Sequence, residues 1–241
     1  MAGRAIGVPW NIKDALIVFI LAWIGLPLLA IVVLSELAPV LPPVAQLLRA
    51  FEAGSLQASF VLVIINAISA FGLVLYYLKR YRSGLSDLGL RRFSLTRAAA
   101  YILGTVAAFM VLVPLAFVII SQLFPNFNPD QAQMNEFTQA TTPAARRLSF
   151  IALVLLPPLV EELVFRGFIF PAFATRWGTT WGAISSSLLF GLAHLQFNVS
   201  VYTVVLGLLL CFMYAKLGSI WPGVAFHMLN NYLAFVALGQ K

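Results

Sequence analysis

Ala15–Leu34, Ala58–Leu78 and Ala98–Ser121 each run for twenty residues or more without a charged side chain. Coiled as a helix at 1.5 Å per residue, each reaches about 30 Å or more, enough to cross the hydrocarbon of a bilayer. Hydrocarbon offers no partner to a peptide group, so runs of this kind form helices that satisfy their own backbone. Composition supports the same class. Of 241 residues, 61% are hydrophobic and 10% charged, against roughly 25% charged in a soluble domain. Four further apolar segments follow: Leu148–Phe170, Trp181–Leu195, Val199–Ala215 and Ser219–Leu238. The expected fold is therefore all-α, a polytopic transmembrane helical bundle of seven spans. Eight is the other count the pattern allows, because the fifth and sixth spans are short and closely joined. The first run is of span length with no small-residue cleavage site after it, which predicts a retained helix rather than a cleaved signal. The single cysteine, Cys211, cannot form an internal disulfide.

The net charge of +7 reads as topogenic rather than as a nucleic-acid footprint, because the basic residues fall between apolar spans. The second connection, Lys79–Arg97, holds six Lys/Arg and one Asp, which predicts that it is cytoplasmic. Alternation then puts the N-terminus (Arg4, Lys13), Arg176 and Lys216 on the same side. Arg146 and Arg147 oppose this orientation. The polar segment Phe124–Thr142 reads as an outside connector carrying at most one short helix.

The fourth span is interrupted by Glu161, Glu162 and Arg166. A charge at mid-membrane costs about 2.5–3.5 kcal/mol on the insertion scale and marks a site by default. Glu162 and Arg166 lie four apart, on one helix face, and are expected to pair. Glu161 points about 100° away and is free to face something else. The chain has two histidines, His194 and His227, both inside apolar spans. The midpoint between Glu161 and His194 falls at Trp177–Gly178, where the sequence predicts a turn. An antiparallel hairpin centred there brings Glu161 and His194 to one depth, about 25 Å from the turn. His227 enters from the same side on the last span, and the three are expected to meet below the cytoplasmic surface. His227 and Asn231 share a face, with Gly223 one turn earlier. Ala183, Ser187 and Gly191 form a small-residue face expected to serve helix packing. Pro27 and Pro114 read as kinks, and Cys211 as packing.

A carboxylate, two imidazoles and an amide in one cavity suit hydrolysis of an acyl bond, which needs a base for water and donors for the oxyanion. Backbone N–H groups of a membrane helix are consumed by the helix, so side chains must donate instead.

These residues also carry a resemblance. "EELVFR" (161–166), "FGLAH" (190–194) and "HMLNN" (227–231), with "FRG" at 165–167 and "LGLRR" after the second span, resemble the CAAX-protease and bacteriocin-processing family of intramembrane glutamic proteases, related to the Ras-converting enzyme. The resemblance covers about Leu148–Leu238. It implies that Glu161 is the general base, assisted by His194, and that His227 and Asn231 form the oxyanion hole. Glu162, Arg166, Asn230 and Phe190 are implied as supporting residues, with Asn230 a competitor for the amide role. It divides the chain into a three-span N-terminal region (1–147) and a catalytic core (148–241) of one membrane domain. No cofactor and no metal are expected. The implied substrate is a membrane-associated protein or peptide, with no nucleic-acid partner, in a bacterial plasma membrane with the N-terminus cytoplasmic. The other readings are a zinc metalloprotease using two His and a Glu, a proton-coupled transporter, and a non-proteolytic scaffold or immunity protein within a membrane complex.

Overall fold

The computed structural model describes residues 6–127 and 142–238. Most of the connector Phe124–Thr142 and the charges at Arg4 and Lys241 lie outside the described residues. Among the described residues the longer helices follow in order: α1 (Ile12–Leu37), α2 (Pro42–Glu52), α3 (Leu56–Arg80), α4 (Leu95–Leu123), α5 (143–177), α6 (179–192), α7 (Phe197–Leu217) and α8 (Trp221–Leu238). Their starts follow from local chemistry. Asn11 caps α1 and exchanges hydrogen bonds with Asp14, and Ser55, Ser94 and Thr142 accept from the first turns of α3, α4 and α5. These caps satisfy backbone donors that a helix start leaves open.

Among the described residues, five helical stretches are long and apolar enough to cross a membrane. One of them, Pro143–Leu192, breaks at Gly178, whose φ of 80° and ψ of 164° suit only glycine. The chain reverses there, because a Cβ placed on Gly182 would lie 2.7 Å from both Cα and N of Ala174. The hairpin expected from the spacing of Glu161 and His194 is thus formed by α5 and α6, and α8 falls outside the five apolar stretches. Helix α2 is a short amphipathic element with no buried residue, suited to the membrane interface. Gly182→Ala is expected to lower thermal stability in detergent by about 1–3 kcal/mol, since the clash is with backbone that cannot turn aside. A melting curve checks this.

The core consists of α5, α6, α7 and α8, and α1, α3 and α4 pack around it with mostly lipid-facing surfaces. On α4, Leu103 and Met110 are 70% and 71% exposed, which suits hydrocarbon and not water. The small face of α6 seats α7, with Ser187 against Gly207 and Gly191 against Ser200. Cys211 is buried beside Ser187.

The segments expected to be cytoplasmic gather on one face. Ile6 and Val8 meet Thr175, and Tyr81 donates to Asp14 at 2.6 Å. Ser219 donates to Arg91 O, Ile220 N to Gly89 O, and Arg97 to Lys216 O. Leu88 of this layer presses on Gly167.

Candidate active site within the bundle

Two proline residues shape the α5 wall of the site. The helix loosens into a π turn at Ile151–Leu155 and again at Glu162–Ile169, a geometry associated with functional positions. Glu161 stands at the start of the second loosened segment. Its side chain is 17% exposed, whereas that of Glu162 is 1% exposed. Arg166 Nη1 donates to Glu162 Oε1 at 2.9 Å, the pair expected from their spacing. The Arg166 guanidinium stacks 4.4 Å from the centre of the Phe190 ring, and Phe190 packs edge-on against Phe165.

His227 lies between the two glutamates. Its Nδ1 is 3.1 Å from Glu162 Oε1 and its Nε2 is 3.7 Å from Glu161 Oε2. A carboxylate only accepts, so Nδ1 donates to Glu162. Gly223, one turn earlier on α8, leaves room for Glu162 Oε2, which would lie 3.0 Å from a Cβ there. His194 sits one turn beyond Phe190, with Nδ1 2.8 Å from Phe190 O. That carbonyl requires the proton on Nδ1 and leaves Nε2 with a lone pair when the ring is neutral. The amides form a chain: Tyr202 donates to Asn230 Oδ1 at 2.6 Å, Asn230 Nδ2 to Asn231 Oδ1 at 3.2 Å, and Asn231 Nδ2 to Leu153 O at 2.9 Å.

Glu161, His194, His227, Asn230 and Asn231 all line one cavity of about 510 Å³. Glu162, Arg166 and Phe190 stand behind it. Sequence reasoning missed three contributors. Tyr202 reaches the cavity from α7, and Asn66 and Trp23 reach it from α3 and α1. Asn66 was visible as a lone amide in an apolar span. Residues of the N-terminal region therefore build one wall of the cavity.

The depth of the cavity corrects one expectation. It was expected in the half next to the basic face. Its lining instead runs through 23–31 of α1, 62–67 of α3, 199–206 of α7 and 227–234 of α8, which is mid-depth and beyond. The basic end is filled by buried Phe165, Phe168, Phe190 and Arg166, leaving Glu161 and His227 as the floor.

The long apolar helices define a polytopic helical membrane protein, and the cavity between them is the candidate site. Residues 143–233 match the family described as Type II CAAX prenyl endopeptidase Rce1-like. The Bacillus subtilis (strain 168) protein named "Putative membrane peptidase YdiL" is 27% identical over 108 residues, which is 44% of this chain and 43% of that protein. No solved structure matches. The family match covers the C-terminal region of the chain, and the chain spans less than half the length of the curated relative it matches.

Proposed function

We propose that this protein is an intramembrane endopeptidase that hydrolyses a peptide bond of a membrane-associated protein or peptide. The observation that carries this is the convergence of Glu161, His194, His227 and Asn231 on one cavity. In this reading Glu161 takes a proton from water while the Nε2 lone pair of His194 holds the same water in place. The water oxygen bonds to the substrate carbonyl carbon and the carbonyl oxygen becomes an oxyanion. That oxyanion is held by Nε2–H of His227, when the ring carries both protons, and by an N–H of Asn231. The proton on Glu161 then passes to the departing amine as the C–N bond breaks, leaving a carboxylic acid and an amine, which become carboxylate and ammonium when the water's second proton moves to the amine. Glu162 positions His227 through Nδ1, and Arg166 balances the charge of Glu162.

The matching family's description makes a prenylated CAAX peptide the first probe. The protein, in nanodiscs, is mixed with an internally quenched farnesylated peptide ending in a CAAX sequence, and cleavage is followed by fluorescence and mass spectrometry. Cleavage dependent on Glu161 supports the reading, and a wild-type protein without cleavage counts against it. The basic face is assigned to the cytoplasm of a bacterial plasma membrane, which cysteine labelling from either side tests.

A metal is not required in this mechanism. Among the described residues, no group of three or more His, Cys, Asp or Glu is arranged to hold an ion. Activity is expected to survive chelators without loss and to gain nothing from added zinc. Loss on chelation with recovery on zinc addition would move the assignment to a metalloprotease.

A further inference from the structure

An extended peptide cleaved inside a helical bundle meets a difficulty that soluble proteases avoid. Its own N–H and C=O groups must find partners in an apolar cavity, and there is no strand edge to pair with. Helix backbone is already self-satisfied, except where the helix is broken.

Leu153 is such a place. A helical carbonyl at position 153 accepts from the N–H of residue 157 in an α turn or 158 in a π turn. Both are proline, and neither has an N–H. The Leu153 carbonyl is therefore without a helical donor in either geometry, on a wall of the cavity it lines. Its partner is the side chain of Asn231, at 2.9 Å. The residue whose amide serves the oxyanion in the proposed reaction thus gives one of its two N–H groups at rest to a main-chain acceptor, which fixes where the amide points.

We infer that the Leu153 carbonyl is the docking acceptor for a substrate backbone N–H, and that the substrate displaces Asn231 from it and so delivers that amide to the oxyanion. Docking and assembly of the oxyanion hole then become one event. Without substrate the amide stays bonded to Leu153. The inference rests on the proteolytic reading above.

A second clasp supplies the control. On the opposite wall, Leu26 N donates to Leu21 O, and Pro27 has no N–H for Ala22 O. Asn66 Nδ2 donates to Ala22 O instead, at 2.8 Å. This clasp repairs a similar break without involving Asn231.

The experiment uses the farnesylated quenched peptide and a series in which each backbone N–H is replaced by an ester oxygen, one position at a time. In wild type, one ester is expected to raise KM by roughly five- to tenfold, the worth of one net hydrogen bond. Pro157→Ala restores an N–H to Leu153 O, so it is expected to raise KM for the parent peptide by a similar factor and to erase the ester's penalty. Pro27→Ala is expected to leave the penalty in place. Asn231→Ala is expected to lower kcat in both the wild-type and Pro157→Ala backgrounds. The inference falls if every ester is tolerated equally by wild type, or if the penalty persists in Pro157→Ala. It also falls if Pro157→Ala rescues Asn231→Ala, which would make the asparagine a clasp and nothing more. Melting curves for each variant separate local misfolding from a lost acceptor. A wild-type protein that cleaves no peptide would instead remove the proteolytic reading itself.

Discussion

Glu161→Gln is expected to stop peptide hydrolysis while leaving the bundle folded. The amide has the size of the carboxylate and still reaches His227, but it cannot take a proton from water. General-base assistance contributes about 10²–10⁴ in rate, so residual cleavage should fall at least that far. The fold should not suffer. Glu161 makes no hydrogen bond on which a neighbouring helix depends, its nearest charged contact being His227 Nε2 at 3.7 Å, and removing a partly buried charge removes its desolvation cost. The measurement pairs cleavage rate with a melting curve on the same preparation. Near wild-type turnover by a folded Glu161→Gln protein would remove this residue from the chemistry and return the site to the transporter and scaffold readings.

The parts of this site that were legible in the sequence are those set by spacing along one helix or across one tight turn. Glu162 and Arg166 pair because four residues bring side chains to one face. Glu161 and His194 share a cavity because a single glycine reverses the chain midway between them. Position 178 needs a residue that accepts positive φ, and the glycine stood in the sequence for that purpose. The relation of α8 to α5 was not legible. Whether His227 faces Glu161, Glu162 or both depends on how α8 is rotated, and that is fixed by contacts such as Gly223 against Glu162. The same holds for the bond from Asn231 to Leu153. The two prolines announce a carbonyl without a donor, but not which helix supplies one. The depth of the cavity was misjudged for a related reason. Counting residues from the turn places the polar groups level with one another, yet says nothing about which end the aromatic side chains fill. Phe165 and Phe190 fill the basic end, and the cavity lies beyond them.

Glu162→Gln is expected to act on stability first. Its carboxylate receives Arg166 at 2.9 Å and His227 at 3.1 Å, and both it and Arg166 have side chains only 1% exposed. The other Arg166 donors, Nε and Nη2, have no hydrogen-bond partner, so the guanidinium depends on this one carboxylate and on the face of Phe190. Glutamine keeps the shape and one acceptor oxygen but withdraws the negative charge. A buried cation left without its counter-ion costs about 3–5 kcal/mol, enough to lower the melting temperature and the yield of folded protein clearly. Activity should fall as well, since His227 loses the charged partner that sets its orientation. The companion change separates the two effects. Adding Arg166→Met to Glu162→Gln removes the stranded cation, and replacing a buried pair with apolar volume is often neutral or stabilising. Stability is therefore expected to return in the double variant while cleavage stays low, because His227 Nδ1 still lacks its carboxylate. If Glu162→Gln is instead as stable as wild type and fully inactive, the second glutamate takes part in the chemistry, and the division of labour between the two must be redrawn.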